Sequence, residues 1–230
     1  MVIQFILLLI AAYLVGSIPT AYLVAKWRRG IDIRQYGTGN IGASNVMAVV
    51  SRRWSIAVSI FDIAKGAVMV WLAQLLGLGA SQQAIIGITA IIGHNWTVFL
   101  HFQGGRGIFT SLGVIAMLAP RVGLIGLILS YLFAPFRQLS LGVFIALIIL
   151  PILSLTLSQS LGVSEPLSVS LAYLGILLIA VLRRLTAPKT PLGASVSKGE
   201  LILNRLLFDR DIKDRQAWLN QSHPETKATK

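Results

Sequence analysis

The sequence predicts an all-α polytopic membrane protein, with seven transmembrane helices and glycine-rich cytosolic loops. Three observations predict it. Of the 230 residues, 55% are hydrophobic and only 12% charged, with a mean hydropathy of +0.77; a soluble domain carries about 25% charged residues. The apolar residues gather in runs, several near the ~20 residues that cross a hydrocarbon core. The positive residues sit in short clusters between those runs, the pattern of topology signals and of contact with anionic lipid or substrate.

The runs fall at approximately residues 2–25, 54–76, 82–100, 108–118, 122–136, 140–157 and 167–182. The first is apolar from the start, without a basic leading region or small-residue cleavage site, and reads as a retained span rather than a signal peptide. Within it Ser17 and Pro19 are expected to bend the helix. The fourth and fifth are short and are split by Ala119, Pro120 and Arg121; proline ends or kinks a helix. Merging these two into one broken helix gives six spans instead of seven.

Lys and Arg choose between the counts. Lys26, Arg28, Arg29, Arg34, Arg52 and Arg53 follow the first run, Arg106 follows the third and Arg137 the fifth. Arg183 and Arg184 follow the seventh. The connector at 77–81 has no basic residue, and the one after the sixth run has only Glu165. Seven spans put these clusters on one side, with the N-terminus outside and the tail cytosolic; Arg121 is the exception. Residues 1–200 then form a single seven-helix unit, and 201–230 a basic cytosolic tail. In that tail 201–207 is expected to be a short amphipathic helix on the membrane, with Arg205, Arg210, Lys213 and Arg215 near anionic headgroups. Residues 221–230 are expected to be disordered.

The net charge of +12 is therefore assigned to membrane topology and anionic ligands, not to nucleic acid. With no cysteine, there is no disulfide framework, thiolate metal site or cysteine nucleophile. No His/Asp/Glu cluster has metal-ligand spacing, and no metal or cofactor is expected. None of His94, His101 and His223 has an aspartate five positions later, so the His-x4-Asp pair of many acyltransferases is absent.

Two polar strings stand out from this apolar background. Residues 36–45 read YGTGNIGASN. Gly37, Gly39 and Gly42 permit turns closed to other residues, and Thr38, Asn40, Ser44 and Asn45 add short polar side chains. Such a loop forms a cup of N–H groups around an anion, or a plain solvated turn. Residues 101–107 read HFQGGRG, where Gly104, Gly105 and Gly107 flank Arg106, a cation with a planar donor fork. A helix expected to start near Ile108, with Thr110 and Ser111 in its first turn, points its positive end at the same place. Together these parts suit a phosphate. The spacing is not that of a Walker A loop.

Inside the second run, Asp62 and Lys65 share a helix face and are expected to form a neutralised structural pair in the bundle. His94, near the cytosolic third of the third run, is either a base or a packing histidine. Ser140 opens the sixth run on the cytosolic side.

In order and spacing, these strings resemble the bacterial membrane glycerol-3-phosphate acyltransferases that use acyl phosphate. AYLVGSIP at 12–19, GTGNIGASNV at 37–46, FDIAKG at 61–66, GHNWTVF at 93–99 and FQGGRG at 102–107, with Thr110 and Gly113, carry the resemblance. It covers about residues 10–115 and fades to Ser140–Gly142 beyond 120. It implies a seven-helix fold with a cytosolic-side site. It also implies transfer of an acyl chain from acyl phosphate to the 1-hydroxyl of glycerol 3-phosphate, giving lysophosphatidic acid. By this resemblance Thr38, Asn40 and Arg106 are the catalytic candidates. Gly37, Gly39, Asn40, Ser44, Asn45, Gly104, Gly105, Arg106, Gly107 and Ser140 are the candidates for binding substrate.

The chain departs from the family pattern in three places. Ala48 stands where the family usually has a phosphate-holding arginine, and Arg106 stands for a lysine. RRLTAPK at 183–189, followed by a small-residue insertion at 190–199, takes the place of a His-x-x-Asn motif. Asn204 and Arg205 are the candidates for a displaced remnant of that motif, and Arg52, Arg53, Arg183 and Lys189 are the candidate substitute cations. The alternative that these departures raise is a non-catalytic paralogue that binds a phosphorylated ligand or lipid, or supports a partner enzyme. A small transporter ranks last, because the halves show no self-similarity.

Overall fold

The computed structural model describes residues 2–219. Its described secondary structure is helical throughout: α1 (Val2–Ser17), α2 (Thr20–Arg29), α3 (Ala43–Val49), α4 (Arg52–Leu75), α5 (Ala80–Asn95), α6 (Ile108–Leu118), α7 (Pro120–Tyr131), α8 (Leu139–Thr156), α9 (Ser158–Leu161), α10 (Pro166–Leu185), α11 (Lys198–Phe208) and α12 (Arg215–Leu219). Among the described residues, five segments are long and apolar enough to cross a membrane: Val2–Arg29, Arg52–Leu75, Ala80–Leu100, Leu139–Thr156 and Pro166–Leu185. Their outward faces are apolar too, with Leu7, Ile60, Leu155 and Leu178 among many exposed large side chains. That is the surface a lipid solvent requires.

The expected bend in the first run is a break. Helix α1 stops at Ser17 and α2 restarts at Thr20, because Pro19 has no N–H to continue the ladder. The carbonyl of Ile18 accepts from Lys65 Nζ at 3.2 Å. Lys65 Nζ also lies 2.9 Å from Asp62 Oδ1, to which Thr20 Oγ1 donates at 2.7 Å. The two charges in α4 thus stitch that helix to the break in the first span.

Helix pairs approach closely where glycine removes a side chain. A Cβ on Gly16 would overlap the backbone of Ala90, and one on Gly93 the backbone of Tyr13. These two glycines set the α1–α5 seam from both sides. Gly66 against Thr110 and Gly113 against Ile63 do the same for α4 and α6. Small residues at the seam are how helices associate in a solvent as apolar as their own side chains.

The merged reading of residues 108–136 does not hold. Ala119 is extended at φ −151, Pro120 opens α7, and a Cβ on Gly123 would lie 3.1 Å from the Cα of Ala116. Residues 7 apart on one continuous helix are separated by about 10 Å, so α6 and α7 fold back on each other. The fifth run also ends early: α7 stops at Tyr131 and 132–137 form turns. At 1.5 Å per residue, α6 and α7 are only about 16 and 18 Å long.

Hydrogen bonds sort the connections into two ends. At one end Ala80 N donates to Glu165 Oε1 at 3.5 Å, Gln74 Nε2 to the Met117 carbonyl at 3.0 Å, and Arg121 Nη1 to the Ser160 carbonyl at 3.5 Å. At the other end residues 32–45, 101–107, 183–191 and 209–211 meet. The C-terminal segment is part of this body. Helix α11 begins at Lys198, ahead of the expected tail boundary at 201, and packs against α8 and α10. Arg205, expected at the headgroups, is instead buried. Its Nε donates to Asp211 Oδ1 at 2.7 Å, and Nη1 and Nη2 cap the carbonyls of Leu185 and Pro188. The expected disorder at 221–230 lies outside the described residues.

Candidate active site

The loop at 36–42 is organised by one side chain. Asn45 is fully buried. Its Oδ1 accepts from Thr38 N at 3.0 Å, and its Nδ2 donates to the carbonyls of Tyr36, Asn40 and Ile33 at 2.9, 3.1 and 3.2 Å. Helix α3 begins at Ala43, so Ser44 and Asn45 are helical rather than loop residues. Gly37 (φ +59) and Gly39 (φ +69) supply the left-handed turns. Asn45 was expected to bind substrate. Its amide is spent on the loop backbone, and it lines none of the cavities described here. The same holds for Gly37, where a Cβ would meet Asn45 Oδ1.

The loop at 101–107 packs against the first. Gly105 N donates to the His94 carbonyl at 3.1 Å, and Arg34 Nη1 reaches Gln103 Oε1 at 3.2 Å. Arg34 is itself gripped by Asp32, with Nη2 2.6 Å from Oδ2. That partner holds the Asp32 carboxyl below the usual carboxylate range and raises the Arg34 guanidinium. Gly107 (φ +73) is the N-cap of α6, so the positive end of that helix opens at this loop.

Arg183 clasps the second loop from α10. Its Nη2 donates to the Gly104 carbonyl at 2.7 Å and its Nε to the Gly105 carbonyl at 2.9 Å. In return Arg106 Nη1 donates to the Arg183 carbonyl at 2.7 Å. Arg106 Nε also lies 2.9 Å from Asp209 Oδ1.

Two polar chambers result, and they meet at Asn40 and Arg106. The outer, about 510 Å³, is lined by Arg34, Thr38, Gly39, Asn40, Gly104, Arg106, Arg183, Lys189 and Trp218, among others. The inner, about 350 Å³, is lined by Asn40, Ser44, Ser55, Ser59, Asp62, His94, Arg106, Gly107, Ser140, Arg184 and Asp209, with Ile108, Phe109, Tyr131, Leu139 and Val143 on its apolar side. Those five apolar residues also line a narrow groove of about 90 Å³ that continues between α6, α7 and α8 to Leu147 and Leu150. Cations surround the outer chamber, polar groups the inner, and hydrocarbon the groove. This is the order of parts in an amphiphile with a phosphate head.

A sequence profile of the family described as glycerol-3-phosphate acyltransferase matches residues 6–187. The chain belongs to the glycerol-3-phosphate acyltransferase family. "Glycerol-3-phosphate acyltransferase 5" of Dehalococcoides mccartyi strain ATCC BAA-2266 / KCTC 15142 / 195 is 50% identical over 218 residues, covering 95% of this chain and 94% of that protein. "Glycerol-3-phosphate acyltransferase 4" of D. mccartyi strain CBDB1 is 46% identical over the same shares. Among solved structures, the integral membrane glycerol 3-phosphate acyltransferase PlsY in its glycerol 3-phosphate form superposes with a TM-score of 0.71. It is 29% identical, covering 79% of this chain and 88% of that one. The lysophosphatidic acid form gives 0.69 and 28%.

In this member of the acyltransferase family, Thr38, Gly39, Asn40, Ser44, Gly104, Arg106, Gly107 and Ser140 line one or both chambers, while Gly105 packs behind them against His94. Among the candidate substitute cations, Arg183 and Lys189 line the outer chamber; Arg52 and Arg53 open α4, exposed and away from both chambers. Asn204 donates to the Asp211 carbonyl at 3.2 Å and lines neither chamber, so it is no stand-in for the missing motif. Arg34 and Asp209 were missed as site residues. Arg34 looked like one topology signal among several. Asp209 sits 103 positions from its partner Arg106, and no local pattern marks it.

Proposed function

We propose that this protein is a membrane glycerol-3-phosphate acyltransferase that uses acyl phosphate as donor and yields lysophosphatidic acid for phospholipid synthesis. The observation that carries the reading is the junction of the two chambers at Asn40 and Arg106, with four cations on one side and an apolar groove on the other. Glycerol 3-phosphate suits the outer chamber, where Arg34, Arg106, Arg183 and Lys189 face a dianion. The acyl phosphate suits the inner chamber, its chain running into the groove toward Leu150.

In the reaction, the 1-hydroxyl oxygen of glycerol 3-phosphate adds to the acyl carbonyl carbon. The carbonyl carbon–phosphate oxygen bond breaks, and the hydroxyl proton leaves with the phosphate. The leaving group already carries charge. What it needs from the protein is preorganised positive potential, which Arg106 and the N-terminus of α6 supply. The reaction requires no covalent enzyme intermediate. The extent of the two D. mccartyi matches, over 95% of the chain, supports the catalytic reading over a non-catalytic paralogue.

We further infer seven passes, with the N-terminus outside and the chambers at the cytosolic face. The sorting of connections into two ends supports this, because the first span, α4, α5, α6, α7, α8 and α10 then alternate in direction between them. The short α6 and α7 complete their passes where the glycine loop dips toward His94.

The test is phosphate release from acyl phosphate plus glycerol 3-phosphate by the purified protein in detergent. The expected result is turnover that falls about 10²–10³-fold in Arg106→Ala, the usual cost of one lost transition-state donor. Wild-type turnover no higher than that variant's would refute the proposal.

A further inference from the structure

The family profile ends at residue 187, yet both chambers are walled in part by the segment beyond it. Asp211 and Trp218 line the outer chamber and Asp209 the inner. The segment is firmly seated. Arg184, buried in α10, donates to the carbonyls of Leu206 and Ser140, and Asp211 holds both Arg205 and Thr190. Helix α11 ends at Asp209, which takes the left-handed conformation (φ 54, ψ 41) usual for a helix cap. This geometry delivers its carboxylate to Arg106.

The contact between them is electrostatic and not directional. Oδ1 lies 2.9 Å from Arg106 Nε, but neither atom makes an aligned hydrogen bond, and both are shielded from solvent. Arg106 therefore keeps its Nη1 bond to the Arg183 carbonyl while its Nε faces an anion that it meets by charge alone. A phosphate dianion carries more charge and more acceptor oxygens than a carboxylate, and matches the fork better.

We infer that Asp209 is an affinity-setting residue of the active site: its carboxylate competes with substrate phosphate for the anion position beside Arg106. This rests on Arg106 being a phosphate-binding cation. An internal competitor lowers the affinity of the chamber for every phosphate, including the inorganic phosphate released by each turnover. The site therefore clears between cycles despite its cations.

The test measures inorganic phosphate binding to the full-length protein by two readouts, inhibition of acyl transfer and the rise in thermal midpoint with phosphate concentration. The variants are Asp209→Asn and Asp209→Gly, both compatible with the left-handed cap, so at least one keeps the fold. The expected result is inorganic phosphate binding and KM for acyl phosphate tightened together, about 3–10-fold, as a gain of up to ~1.4 kcal/mol implies. Unchanged or weakened phosphate binding in the folded variants overturns the inference. Arg106→Ala separates the two layers. If it binds phosphate as the wild type does, the phosphate role of Arg106 falls and the inference falls with it. If it binds weakly, yet Asp209→Asn tightens phosphate equally with and without Arg106, the inference alone falls.

Discussion

Arg106 Nη1 donates to the carbonyl of Arg183 at 2.7 Å, while the Arg183 guanidinium caps the two glycine carbonyls just before Arg106. Each arginine fixes the backbone that carries the other. The end of α10 and the second glycine loop are therefore one rigid unit, although 77 positions separate the two residues.

Arg183→Lys is consequently expected to behave almost as badly as Arg183→Ala. A lysine ammonium keeps the charge but cannot span two carbonyls with a planar fork. A misplacement of ~1 Å at a site of this kind costs about 10²-fold in rate, and that is the expected drop in kcat/KM for both variants. Steady-state kinetics with varied glycerol 3-phosphate check it. Full activity in Arg183→Lys would mean that charge alone matters. Added guanidinium is expected to restore part of the activity of Arg183→Ala.

Asn45 supports the first loop through four hydrogen bonds. In Asn45→Ala the Asn40 carbonyl and the Thr38 N–H lose their partner, at about 1–3 kcal/mol for each group that water cannot reach, while the Ile33 and Tyr36 carbonyls keep the N–H of Tyr36 and of Gly39. Asn45→Asp is expected to be worse despite its shape, since it turns a donor to three carbonyls into an anion facing them. Thermal midpoints of the two variants in detergent give the order directly.

These two loops show what was legible in the sequence and what was not. The membrane character of the chain, an interruption of the first run at Pro19 and the convergence of two glycine strings follow from hydropathy, proline chemistry and spacing. These are local properties. The role of Asn45 was not legible, because a polar residue beside glycines looks the same whether it faces a ligand or the backbone. The partners of Arg106 were not legible either. Arg183 and Asp209 come from α10 and α11, and only the packing of α11 on α8 and α10 brings them in. Arg205 misled for the same reason, since a basic residue on an amphipathic string reads as a headgroup contact until Asp211 is found beside it.

Asp62 and Lys65 pair at 2.9 Å with side chains only 2% and 5% exposed. Removing one partner strands the other charge in the interior, which costs about 3–5 kcal/mol. Asp62→Ala and Lys65→Ala are each expected to lose that much, whereas Asp62→Leu with Lys65→Met recovers most of it. Thermal unfolding of the four proteins compares them. A double variant no more stable than either single one would mean that Thr20 and Ile18, not the pair, dominate.

The Asp32–Arg34 pair gives a pH signature. Its folded-state carboxyl is held below the ordinary value of 3.8 by the Arg34 guanidinium. A depressed carboxylate contributes stability above its unfolded value and loses it as pH falls through the folded one. The outer chamber is thus expected to hold its shape down to about pH 4 and to loosen below it. Asp32→Asn is expected to remove this acid-side slope. Thermal midpoints between about pH 3 and 6, compared for the two proteins, check the sign.

Cysteine labelling tests the topology, and the chain has no native cysteine to interfere. Gln35, Ser81 and Lys198 are all exposed, and their side chains lie on connections at the two ends of the bundle. Gln35 and Ser81 flank a single crossing, α4, so any count of spans that keeps the first two places them on opposite sides. Lys198 discriminates further. Seven passes put it with Gln35 at the cytosolic face; six passes, with α6 and α7 counted as one, put it with Ser81 outside. In intact cells a membrane-impermeant maleimide is expected to label Ser81→Cys alone, and all three variants only after permeabilisation. Labelling of Lys198→Cys in intact cells would move the basic end of α10, and with it both chambers, to the outer face.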